Sequence, residues 1–180
     1  MLYDDALAFP MIHVCSLARL HATVEETGAR RVVTLMRDVQ LVRRPATIEH
    51  ADHLLLRLDD ISEPLDGYTI PAVEHVAELL TFVRSWDRAA PLVIHCYAGV
   101  SRSTAGAFVS ACALNPRRSE AEIAQDIRRL SPTATPNIRI VTIADQMLGR
   151  EGRMVAAIES IGRGVACYEG HPFRLDLEAG

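Results

Sequence analysis

Short apolar runs alternate along this chain with segments whose apolar positions recur every three to four residues. Residues 11–15 (MIHVC), 31–36 (RVVTLM), 53–58 (HLLLRL) and 91–95 (PLVIH) have the composition of buried strands. Between and after them the period lengthens. Ser16 caps a predicted helix that runs to about Thr27 and stops at Gly28. Pro71 suits the first turn of a helix reaching about Asp87, with Val73, Val76, Ala77, Leu80 and Val83 on one face. Residues 102–114 read as a small-residue helix that Asn115-Pro116 breaks. Two amphipathic helices, 119–130 and 137–150, flank a turn over 131–136. A weak helix over 153–161 and an irregular tail to Gly180 complete the pattern. Strands alternating with helices of ten or more residues predict an α/β fold, a central mostly parallel sheet flanked by helices. No repeat or linker interrupts the 180 residues. We therefore expect one domain over 1–180, its core at about 10–150 and a C-terminal helix and tail at 151–180.

Composition narrows the chemistry. All 19 basic residues are arginine, and lysine is absent. That excludes a Walker A lysine, a Schiff-base lysine and a kinase-type ATP lysine. Any phosphate must be held by backbone amides and arginine. A net charge of −4 gives no general case for binding nucleic acid or an anionic membrane. No uncharged run approaches the ~18 residues of a membrane span. The start, Met1-Leu2-Tyr3-Asp4-Asp5, carries acids where a signal peptide carries positive charge. Cys15, Cys96, Cys112 and Cys167 have neither the density of a disulfide scaffold nor a paired zinc spacing. A reducing cytoplasm is the expected compartment. His50-Ala51-Asp52-His53, beside Glu49, could hold a metal by spacing and also reads as a polar strand entry. No metal or cofactor is expected.

The informative stretch is His95-Cys96-Tyr97-Ala98-Gly99-Val100-Ser101-Arg102-Ser103, which follows a predicted strand and opens a predicted helix. Backbone N–H groups converge at such a turn, and the helix dipole favours an anion there. For Cys96 that anion is the thiolate. Gly99 lets the chain curl so that the amides of Tyr97, Ala98, Gly99, Val100 and Ser101 form a nest for phosphate oxygens. Arg102 can return across the loop as a bidentate fork. Ser103 can donate to the sulfur. His95 lies outside the cradle and is expected to order its backbone.

These residues resemble the H-C-x5-R-[ST] signature of the cysteine-dependent protein tyrosine phosphatase superfamily. The Gly and second Ser bring them closest to its dual-specificity branch, H-C-x-x-G-x-S-R-S. The resemblance implies that family's fold, no cofactor, and a general acid on a loop some thirty-odd residues before the nucleophile. Asp60 fits that place, 36 residues upstream of Cys96 and just beyond a strand; Asp59 and Asp66 are its rivals. Residues 131–137 (SPTATPN) resemble the branch's Pro-Asn turn, although Arg139-Ile140 and Ile143-Ala144 depart from its usual continuation. Asn137 either braces the loop or caps its helix. The resemblance covers about residues 54–150.

Carried over, the family's chemistry is hydrolysis of a phosphomonoester through a phosphocysteine, with Cys96, Arg102, Asp60 and Ser103 as the acting residues. Uncharged Tyr97, Ala98 and Val100 disfavour a polyphosphate lipid. A phosphorylated protein, with phosphotyrosine foremost, is the expected partner, ahead of a small non-protein phosphate ester. A catalytically inactive phosphate-binding module is the rival class; such proteins typically lose the Cys or Arg retained here. A sulfur-transfer or arsenate-reducing protein would want a different loop and a nearby resolving thiol. Cys15, which ends the first strand, could trap an oxidised Cys96. The sequence leaves the oligomeric state open.

Overall fold

The computed structural model describes residues 10–178, so the acidic stretch Met1–Asp5 lies outside the described residues. Four parallel strands and one antiparallel edge strand form a five-stranded sheet in the order β3-β2-β4-β1-β5. The parallel strands are β1 (Met11–Ser16), β2 (Arg31–Leu35), β3 (His53–Leu56) and β4 (Leu92–Cys96). Helix α1 (Leu20–Thr27) covers one face. The other face carries α2 (Val73–Arg84), α3 (Arg102–Leu114), α4 (Glu120–Leu130), α5 (Ile138–Met147) and α6 (Arg153–Ile161). Alternation along the central strands builds the two unequal cores. Val14, Val33, Leu35, Leu92 and Ile94 enter the large one, with Phe108 of α3 at its centre. Cys15, Val32 and Val93 enter the small one beside Leu20 and Val24.

The tail departs from the sequence reading. Residues Phe173–Asp176 form β5 antiparallel to β1, with Val14 opposite Phe173 and Met11 opposite Asp176. Phe173, Leu175 and Leu177 point inward at every second position and join the large core, as do Met154, Ala157 and Ile158. Packing of the sheet edge decides this strand, because four residues carry too short a pattern to stand alone.

Several boundaries also move. β1 runs one residue further, to Ser16, whose hydroxyl accepts the Arg19 N–H and caps a 3-10 turn ahead of α1. α2 begins at Val73, two residues beyond Pro71, where the Ala72 N–H donates to His75 Nδ1. Val73 is consequently exposed, and Leu79 joins Val76, Leu80 and Val83 on the buried face. β3 ends at Leu56, and the chain beyond it is fixed by Asp59, whose N–H donates to the Thr69 carbonyl and whose Oδ2 accepts the Thr69 N–H.

Candidate active site

Ser16 and Cys96 are register partners, so β1 and β4 end at one level and the loop 97–101 leaves the sheet between them. Gly99 adopts φ +71°, and a Cβ there would stand 2.8 Å from the Cys15 carbonyl carbon and the Ser16 nitrogen. Only glycine meets both demands. The loop therefore sits down on the end of β1 and curls around Cys96, which is 2% exposed. The Gly99 N–H donates to Cys96 Sγ at 3.3 Å, and the Ser103 hydroxyl lies 3.1 Å from the same sulfur.

What turns the amides inward is that the carbonyls are held outward. A trans peptide points its C=O and the following N–H in opposite directions. The Tyr97 carbonyl accepts from Leu17 N–H at 3.1 Å, and that of Ala98 from Gly170 N–H at 2.9 Å. Val100 accepts from Thr135 N–H at 2.9 Å, and Ser101 from Asn137 N–H at 3.3 Å and Ala105 N–H at 2.9 Å. Three separate segments, at Leu17, at 135–137 and at Gly170, thus hold the loop carbonyls outward, with the N-terminus of α3 behind the loop.

Arg102 opens α3 and donates from Nη1 to the Leu58 carbonyl at 3.0 Å. Its Nε is buried without a protein partner among the described residues. Asp60 stands across the loop. Its Oδ1 accepts from Ser101 Oγ at 2.7 Å and from Asn137 Nδ2 at 2.8 Å. Asp59 faces away, buried against the Thr69 backbone with Arg37 at 3.8 Å, and Asp66 is exposed on the same loop. Asn137 both caps and braces. Its Oδ1 accepts the N–H groups of Arg139 and Ile140, while Nδ2 also reaches the Ile61 carbonyl.

Beneath the loop runs a buried polar chain. Thr34 Oγ1 lies 2.7 Å from His95 Nε2 and 2.8 Å from His53 Nε2, and His95 Nδ1 lies 3.3 Å from the Cys96 carbonyl. Burial lowers both imidazoles to about 4, so both are neutral near pH 7. Proton directions follow. A carbonyl only accepts, so His95 Nδ1 carries its proton, Nε2 accepts from the Thr34 hydroxyl, and that hydroxyl accepts from His53 Nε2–H. His95 thus bonds the backbone at Cys96, while the Thr34–His53 link lies outside the loop motif.

Other candidates lie elsewhere. His53 is committed to Thr34 and Asp52 to Arg31 at 2.9 Å, and among the described residues no three His, Cys, Asp or Glu side chains gather as a metal site. Burial pushes the Cys15 and Cys112 thiols up to about 12, whereas Cys167 is exposed. Trp86 packs in the large core. A cleft of 460 Å³ opens beside the loop, lined by Asp60, Val100, Ser101, Pro136, Arg163 and Cys167 among others.

A sequence model of the Tc-R-P family, described as polymorphic toxin system DSP-PTPase phosphatases, matches residues 13–116. That span runs from β1 to just beyond α3 and includes the whole loop. The chain belongs to this family. The phosphatase is a phosphoric monoester hydrolase of the tyrosine and dual-specificity type. Solved structures share its fold. Cydia pomonella PTP-2 phosphatase is 19% identical, with 75% of this chain and 84% of that one covered and a TM-score of 0.59. A mouse putative dual specificity phosphatase complexed with zinc tungstate is 15% identical over 87% and 97% of the two chains, with a TM-score of 0.61. Human DUSP28 is 15% identical over 78% and 94%, with a TM-score of 0.60. No curated protein matches the sequence. Among the described residues no helix of the phosphatase is long and apolar enough to cross a membrane.

Proposed function

We propose that the phosphatase hydrolyses phosphomonoesters through a phosphocysteine on Cys96, with Asp60 as general acid and base. The observation that carries this reading is the approach of the Gly99 N–H and the Ser103 hydroxyl to Cys96 Sγ, just before a helix opened by Arg102, whose buried Nε has no partner among the described residues. The Cys96 thiolate attacks phosphorus, forming the S–P bond as the P–O bond to the leaving group breaks. Arg102 and the amides of Tyr97, Ala98, Gly99, Val100 and Ser101 hold the equatorial oxygens and their charge. Asp60 gives its proton to the departing oxygen. Water then attacks phosphorus, Asp60 takes its proton, and the S–P bond breaks while Ser103 donates to the returning sulfur. Arginine and amides supply the positive potential, so no metal ion enters this scheme.

The substrate class we infer is a phosphorylated protein, phosphotyrosine foremost, since Tyr97, Ala98 and Val100 add no charge to meet a second phosphate. The family's description makes a place in a polymorphic toxin system part of the proposal. We take the whole chain as one catalytic domain, a reading supported by the pairing of β5 with β1. Four free cysteines fit a reducing cytoplasm. The test is turnover of p-nitrophenyl phosphate and of phosphotyrosine, phosphoserine and phosphothreonine peptides, with and without EDTA. Activity that persists in EDTA and vanishes in Cys96→Ser supports the scheme. Binding without turnover would leave an inactive phosphate-binding module.

A further inference from the structure

We propose that the C-terminal segment 162–177 is a positioning element of the phosphate loop and that it acts through Gly170. This rests on the reading of Cys96 as nucleophile. The segment lies beyond the family match, which ends at residue 116.

The Ala98 carbonyl and the Gly99 N–H belong to one peptide plane. The Gly170 N–H holds that carbonyl outward at 2.9 Å, and the Gly99 N–H consequently points at Cys96 Sγ, 3.3 Å away. Of the loop amides, this is the one that reaches the sulfur, so its direction bears on thiolate stability. Gly170 is buried, and a Cβ there would stand 2.9 Å from the Gly99 carbonyl oxygen and 3.3 Å from Val100 Cγ2. The close approach of segment to loop thus requires glycine at 170 as it requires glycine at 99.

The segment is fastened on both sides of that contact. Before it, Gly164 N–H donates to Thr135 Oγ1 at 3.1 Å and Val165 N–H to the Pro132 carbonyl at 3.0 Å. Next to it, the Ser16 hydroxyl donates to Glu169 Oε1 at 2.5 Å, and Ser16 is the register partner of Cys96. After it, β5 pairs with β1 from Phe173. Between these fastenings Val165, Cys167 and Tyr168 are exposed, and Arg163 to Cys167 wall the cleft that Asp60 shares. A segment held only for stability would need β5 and its core residues. The Ser16–Glu169 bond and the glycine at 170 add register against the loop.

Two variants test this, Gly170→Ala and Glu169→Ala, with p-nitrophenyl phosphate kinetics, the thermal midpoint, and the pH dependence of Cys96 alkylation by iodoacetate read on the Cys96 peptide. Gly170→Ala is expected to lower kcat about tenfold or more with KM changed less than about twofold. Its midpoint for Cys96 alkylation moves to higher pH, which a purely structural role would not produce. Glu169→Ala, which removes the acceptor of the Ser16 hydroxyl at an exposed position, moves the same two quantities in the same direction by a smaller amount and decides the matter if Gly170→Ala does not fold. An unchanged alkylation midpoint in folded Gly170→Ala, or in Glu169→Ala where that variant does not fold, overturns the proposal. Turnover that survives Cys96→Ser overturns the nucleophile assignment instead.

Discussion

Asn137 donates its side-chain amide to Asp60 Oδ1 at 2.8 Å while its side-chain oxygen accepts the first N–H groups of α5. One residue therefore joins helix capping to the placement of the proposed acid, and the two roles are separable by substitution. Asn137→Ala loses both, with a stability cost of about 1 kcal/mol for the cap and a lower kcat. Asn137→Ser keeps a capping oxygen but is too short to reach Asp60. Its thermal midpoint should stay close to wild type while kcat falls about tenfold. Equal loss of stability and rate in both variants would contradict the separation.

Asp59 and Asp60 are neighbours with opposite assignments. Asp59 accepts the Thr69 N–H and fixes the loop, and an asparagine at 59 still offers an oxygen to that donor. Asp60 faces Ser101 and Asn137 beside the phosphate loop. Asp60→Asn should lower kcat on a phosphotyrosine peptide by about 10²–10⁴, whereas Asp59→Asn costs mainly stability. Steady-state kinetics on the pair decides, and a larger rate loss in Asp59→Asn would reverse the roles.

Arg102 offers a third comparison, sharpened by a chain that has no lysine. Nη1 is bonded to the Leu58 carbonyl while Nε is buried and has no partner among the described residues, so in the proposed mechanism one planar fork serves the scaffold and the oxyanion together. A lysine carries the charge without that fork. Arg102→Lys should therefore lose about 10²–10³ in kcat/KM while its thermal midpoint stays nearer wild type. Inorganic phosphate, as a product inhibitor, should weaken in parallel.

The parts of this site legible in the sequence are those that are local. Cys96 to Ser103 lie on one strand–turn–helix, and their order alone implies the nest, the arginine and the sulfur's hydroxyl partner. The parts that escaped join distant segments. Gly170 meets Ala98 through a tail whose β5 pattern spans four residues. Thr34 links His53 to His95 across three strands, and no local pattern in any one of those segments joins them. Ser16 was read as a helix cap, which its bond to Arg19 N–H supports, but its bond to Glu169 needed the fold. Asn137 stood between two roles in the sequence because one oxygen and one nitrogen leave the same atom in different directions.

The His53–Thr34–His95 chain makes the phosphatase acid-sensitive in a defined window. Both imidazoles fall from an ordinary value of 6.5 to about 4, by burial first. Between those values the unfolded chain binds protons that the folded chain does not, so stability is full above about pH 6.5 and falls as pH drops toward 4. For fully buried His95 the slope approaches about 1.4 kcal/mol per pH unit. Carboxylates act lower. Glu120 and Asp126 are opposed by their own burial, yet arginine partners hold both below the usual carboxylate range, so their contribution is lost only as pH falls through those depressed values. Urea midpoints measured from pH 7.5 to 4.5 should therefore decline chiefly below pH 6.5. Replacing His95 with Asn removes one titrating group and should flatten that decline, whatever its effect on the midpoint at pH 7.5. A decline of equal slope in His95→Asn would place the acid sensitivity elsewhere. Thr34→Val, which deletes the hydroxyl between buried His95 and half-buried His53, should lower the midpoint at every pH, chiefly because His95 then loses a partner that burial makes expensive to lose.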